Sequence, residues 1–210
     1  MNNLFFIHIP KTGGTILRRA TGTKNFDMEP QGSTVHSITL SDVASRNQKA
    51  VFVLRDPIDC AISLYWEIRN AMWRSQDYRY QSSEYTTVRI DKKYPTPELF
   101  FSNSEKNNKW PLKYSYKQIL GNLDDYKNFE DHVEFVIPFE KLEYGYDHLK
   151  KITNSDFQLD RQYQRSRYDY HSQSTIDETL TPKTIRYMML CLEADYGLYH
   201  YIRHSRKMLR

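Results

Sequence analysis

The 210 residues contain only two cysteines, Cys60 and Cys191, far apart and in no Cys-x-x-Cys pair. This scarcity argues against a disulfide framework or a thiolate zinc site and fits a reducing compartment. Long apolar runs are missing too. No segment approaches the roughly 18 consecutive apolar residues that span a bilayer, and the stretch from Leu4 to Ile9 lacks the basic flank, length and cleavage site of a signal peptide. A soluble, cytoplasmic protein with no membrane partner is expected. Neither sign of charge dominates: the formal net charge is +4, which suits anionic ligands but falls short of the basic stripe of a nucleic-acid binder. Internal repeats and low-complexity tracts are absent, so one domain over residues 1–210 is the expectation.

What is present is a modest hydrophobic fraction of 39%, with 14% aromatics and 17 tyrosines supplying burial that aliphatic residues would otherwise give. Leu4-Phe5-Phe6-Ile7-His8-Ile9 reads as a buried strand stopped by Pro10. Ala50-Val51-Phe52-Val53-Leu54 reads as a second, closed by Asp56 as helix cap and Pro57 at the first helical position. Ile58, Ala61, Ile62, Tyr65, Ile68 and Met72 then recur at helical spacing. Val133 to Ile137 is a third strand leading through Pro138 into a helix with Leu142, Tyr146, Leu149 and Ile152. A last helix starts at Thr181-Pro182 and is expected to end before Gly197. Residues 74–110 are polar and interrupted by Pro95 and Pro97, as an insertion or acceptor-side segment would be. Repeated strand–turn–helix units predict an α/β fold with a central parallel sheet flanked by helices.

A parallel sheet binds ligands at the carboxyl ends of its strands. The first strand ends in Lys11-Thr12-Gly13-Gly14-Thr15-Ile16, where glycines admit backbone N–H groups close to a phosphate, Lys11 adds charge and the threonines add hydroxyls. Lys11 precedes the glycines, the reverse of a Walker A loop. A plain tight turn is the structural alternative. The second strand ends in Arg55, able to fork onto a phosphate, with Ser63 two turns up the following helix. There the alternative is an Arg55 paired with Asp56 or Asp59 and a Ser63 that merely faces solvent.

The run from Phe6 to Thr15 resembles the 5′-phosphosulfate loop of sulfotransferases that use 3′-phosphoadenosine 5′-phosphosulfate (PAPS), closest to the uronosyl 2-O-sulfotransferase group. Arg55-Asp56-Pro57 with Ser63-Leu64-Tyr65 is similar to that family's 3′-phosphate motif. Phe139-Glu140-Lys141-Leu142 resembles its Tyr-Glu-x-Leu segment, and the stretch from Leu180 to Tyr196 its terminal helix. The resemblance implies a single P-loop-like domain that moves a sulfuryl group from PAPS to a hydroxyl acceptor, probed first among carbohydrates, with adenosine 3′,5′-bisphosphate (PAP) as product and no metal. It implies donor contacts from Lys11, Thr12, Gly13, Gly14, Thr15, Ile16, Arg55 and Ser63, and a third donor loop at Arg165, Ser166 and Arg167. Lys11 is the expected stabiliser of the leaving group and His36 the expected general base, with His8 and His171 as competitors. Where the family carries an arginine four residues after the proline of Arg-Asp-Pro, this chain has Ala61. A P-loop-type kinase and a non-catalytic PAPS- or glycan-binding module are the alternatives.

Overall fold

A computed structural model describes residues 4–10, 12–13, 38–73, 96–102, 116–154 and 180–210, excluding the side chains of residues 66–73. Its centre is a three-stranded, all-parallel sheet in which β1 (Leu4–Phe6), β2 (Lys49–Leu54) and β3 (Val133–Pro138) lie in chain order. β2 is therefore the middle strand, and its carboxyl end has the ends of β1 and β3 on either side. The ladder extends past Phe6, because the Ile7 N–H still donates to the Val51 carbonyl at 2.9 Å. An irregularity between Ala50 and Val51 shifts the register of β3, so that Ala50 pairs with Val133 and Val51 with Phe135.

The strands are apolar on both sides because both faces of the sheet are covered. Side chains alternate along a strand: Phe5, Ile7, Ile9, Phe52, Leu54 and Val136 share one cluster, whereas Leu4, Phe6, Val51, Val53, Phe135 and Ile137 share another. The first is closed by α1 (Leu40–Ser45), α4 (Tyr116–Leu120), α5 (Leu123–Phe129) and α8 (Glu193–His204). The second is closed by α6 (Leu142–Thr153) through Leu142, Tyr146 and Leu149. α2 (Pro57–Trp73) buries Ile58, Ala61, Ile62 and Tyr65 against α3 (Pro97–Ser102) and α7 (Pro182–Cys191). None of the described helices is long and apolar enough to cross a membrane.

Four helices depart from the sequence reading. The described part of the polar 74–110 stretch, residues 96–102, holds α3, whose Phe100 and Phe101 are buried against Tyr65 at ring distances of 5.3 and 6.3 Å. Pro97 starts this helix, and the Thr96 hydroxyl accepts from the Leu99 N–H. The terminal helix does not stop before Gly197: it breaks at Leu192 and resumes as α8 to His204, since Leu198, Tyr199 and Ile202 continue the apolar face. α1 and α5, unread in the sequence, start at reciprocal capping boxes, Thr39 with Asp42 and Asn122 with Asp125. The chain then returns to the sheet: the Val136 N–H donates to the Lys207 carbonyl at 2.8 Å, and the Leu209 N–H to the Val136 carbonyl at 2.9 Å. That bridge occupies the edge of β3 away from β2.

Candidate functional site

Beyond β1, Pro10, Thr12 and Gly13 lie in a turn. Thr12 is fully buried and its hydroxyl donates to the Ile9 carbonyl at 2.9 Å. The hydroxyl expected to donate to a phosphate here closes the turn. Gly13 has φ +81°, in the left-handed region, and a Cβ there would come within 3.0 Å of Leu142 Cδ1 and 3.3 Å of Phe139 Cε2. Glycine is required here for backbone angle and for close approach alike. Lys11, Gly14, Thr15 and Ile16 lie outside the described residues.

Arg55 follows β2, and its peptide is gripped on both sides by one side chain. The Tyr116 hydroxyl accepts from the Arg55 N–H at 2.8 Å and donates to the Arg55 carbonyl. The guanidinium carbon stands 4.2 Å from the centroid of the Phe139 ring, a close cation–π contact. Asp56 caps α2 as expected, accepting from the N–H groups of Ile58 at 2.8 Å and Asp59 at 3.3 Å. The same carboxylate accepts from the Tyr196 hydroxyl at 3.0 and 3.3 Å. Asp56 is thus the pin between α2 and α8. Burial pushes the Asp59 carboxyl above its ordinary range, Arg55 opposes that shift, and Asp56 adds to it.

Ser63 is partly exposed and lies on the α2 stripe shared by Asp56, Asp59 and Cys60, separate from the buried stripe of Ile58, Ala61, Ile62 and Tyr65. Ala61, standing where the resembling family keeps an arginine, is buried in the α2–α3–α7 cluster. Cys60 is 3.9 Å from the Tyr116 hydroxyl. Burial pushes its thiol up to about 12, against the pull of Arg55 and the Tyr116 hydrogen bond. At neutral pH it is a thiol, unsuited to act as a thiolate nucleophile.

The end of β3 supplies the third wall, a turn from Phe139 to Lys141. Glu140 pairs with Arg203 of α8 at 3.0 Å, and Arg203 donates to the Tyr199 hydroxyl at 2.7 Å. Tyr196 and His200 lie near-parallel with ring centroids 5.8 Å apart. Tyr196, Tyr199, His200 and Arg203 follow helical spacing along one stripe of α8. The sequence placed Tyr196 in the last helix, whereas Tyr199, His200 and Arg203 were passed over, and their spacing was the available signal. Burial and the Asp56 carboxylate both push the Tyr196 phenol upward, so it stays a neutral donor.

Of the residues expected to act on a donor, the structure brings Thr12, Gly13 and Arg55 to one end of the sheet and sets Ser63 on the helix that leaves it. His36, Arg165, Ser166 and Arg167 lie outside the described residues, as does the competing base His171. His8 is partly buried, its ring near-parallel to Phe6 at 6.5 Å, consistent with packing. Among the described residues no group of three or more His, Cys, Asp or Glu side chains is arranged to hold a metal ion. Comparison with protein-family models, with characterised proteins and with solved structures found no match.

Proposed function

We propose that this chain is a single P-loop-like domain that transfers a sulfuryl group from PAPS to a hydroxyl acceptor, a carbohydrate in the first instance. The observation that carries the reading is the meeting of two anion-suited segments on one aromatic ring: a Cβ on Gly13 would stand 3.3 Å from Phe139 Cε2, and the Arg55 guanidinium carbon lies 4.2 Å from the centroid of the same ring. A glycine turn and an arginine on adjacent parallel strand ends suit a nucleotide with phosphates at both ends. The rest of the donor set comes from the sequence resemblance: Lys11 and the backbone of residues 12–16 at the 5′-phosphosulfate, Arg55 and Ser63 at the 3′-phosphate, and Arg165, Ser166 and Arg167 as a third loop.

In this reading the acceptor oxygen attacks sulfur in line as the bond from sulfur to the 5′-phosphate oxygen breaks, and PAP leaves with the electron pair. Lys11 neutralises charge on the departing oxygen, and His36 takes the acceptor hydroxyl proton. PAPS supplies the activated sulfuryl group, and none of these steps calls for a metal.

Incubation with radiolabelled PAPS and a panel of glycans, phenols and peptides tests the proposal. A labelled product that forms in EDTA, and that is lost in His36→Ala while PAP binding persists, is the expected result. Label transfer from ATP that EDTA abolishes would replace it with the kinase alternative. PAP binding without turnover over the whole panel would leave a binding module.

A further inference from the structure

Phe139 sits where the ends of all three strands meet. It follows β3 directly, its ring carries the Arg55 guanidinium at 4.2 Å, and its edge abuts the backbone at Gly13. Leu142, three residues further on, crowds the same point, 3.0 Å from where a Cβ on Gly13 would stand. The Arg55 main chain is fixed separately by the Tyr116 hydroxyl. An arginine side chain has several rotatable bonds and loses much of its entropy when held in one pose. With the backbone clamped by Tyr116 and the guanidinium resting on an aromatic face, that cost is met before an anion arrives.

We propose that Phe139 is a positioning residue for Arg55, so that anion affinity at the strand ends depends on an aromatic ring at position 139. The ring acts through the guanidinium and not on the ligand. An aliphatic side chain of similar bulk keeps the packing on Gly13 and Leu142 and forfeits the cation–π contact, which makes the two roles separable. The ligand chemistry, a phosphate-bearing nucleotide, rests on the reading of the donor site given above; the contact itself does not.

Two measurements on the full chain test this. The first uses no ligand: the Nε–Hε resonance of Arg55, assigned by its loss in Arg55→Lys, is displaced by the ring current of Phe139. The displacement disappears in Phe139→Leu and survives in Phe139→Tyr. The second is calorimetric titration with PAP, in which Phe139→Leu weakens binding by about tenfold and Phe139→Tyr restores it. Phe139→Met replaces the leucine variant if that one fails to fold. An unchanged resonance in folded Phe139→Leu overturns the positioning role, and so does tyrosine failing as badly as leucine in the titration. A wild-type protein that shows the displaced resonance but binds no PAP overturns the donor reading and leaves the positioning of Arg55 supported.

Discussion

Cys60 illustrates how a neighbourhood sets the chemistry of one residue. Its sulfur lies beside Tyr116 and under the influence of Arg55, yet burial outweighs both and holds the thiol at about 12. In a Cys191→Ser background, iodoacetamide at pH 8 should leave the native protein unmodified and label it promptly in denaturant, as read by mass spectrometry; fast labelling of the native state would refute the assignment. The sign for stability follows. The folded value lies above the ordinary 9.0, so the contribution is complete below pH 9 and is lost as pH rises from there towards 12. Arg55 and Asp56, adjacent in sequence, are given separate tasks by tertiary contacts: Asp56 caps α2 and holds Tyr196, while the Arg55 guanidinium turns to Phe139. The sequence already marked Asp56 as the cap, but only the tertiary contacts show that the same carboxylate holds Tyr196 and that the neighbouring guanidinium lies on Phe139.

At the scale of elements, two helical glycines give opposite forecasts. Gly145 lets α6 lie directly on β3: a Cβ there would stand 2.8 Å from Ile137 Cγ1 and nearer still to its Cγ2. Gly145→Ala should cost about 1–3 kcal/mol by overpacking. Gly197, exposed within α8, has no atom within 4 Å of such a Cβ, and Gly197→Ala should gain roughly 0.5–1 kcal/mol from helix propensity. Urea midpoints of the two variants moving in the same direction would contradict this account. α3 and α7 are joined by Glu98, which accepts from the Thr181 N–H at 2.8 Å and from the hydroxyls of Thr181 and Thr184 at 3.0 and 2.6 Å. Partial burial works to raise its carboxyl, and the Thr184 and Thr181 hydrogen bonds outweigh it, so the value falls below the ordinary 4.5. A lowered carboxylate stabilises above its unfolded value and loses that contribution as pH falls through the folded one. Thermal melts of wild type and Glu98→Gln should therefore differ above pH 4.5 and converge below it. The hairline of this pairing was not readable beforehand, because Glu98 and Thr181 stand far apart in the chain and α3 carries only six residues.

Over the whole molecule, the C-terminal segment completes the sheet. Removing Lys207 to Arg210 takes away both backbone bonds to Val136 and the packing of Met208 and Leu209 on opposite faces. A loss of about 2–4 kcal/mol follows from two hydrogen bonds and two partly buried side chains, and an exposed strand edge promotes self-association. A lowered urea midpoint with concentration-dependent light scattering is expected; an unchanged midpoint would mean that the bridge adds nothing. The sequence by itself determined the three strands, the caps at Asp56 and Thr181, the helices that follow Pro57, Pro138 and Thr181, and the glycine turn, since each follows from local periodicity, proline geometry or a side chain reaching its own backbone. Only the tertiary structure decided that β2 lies between β1 and β3, that the Thr12 hydroxyl bonds the Ile9 carbonyl, that α8 runs past Gly197, and that Phe139, Tyr116 and Tyr196 gather around Arg55 and Asp56. The physical reason is distance along the chain for the partners of Arg55 and Asp56, whose contacts with Tyr116 and Tyr196 join residues 61 and 140 positions apart, where no local preference operates; the Thr12 bond spans only three residues and depends instead on the burial of its turn.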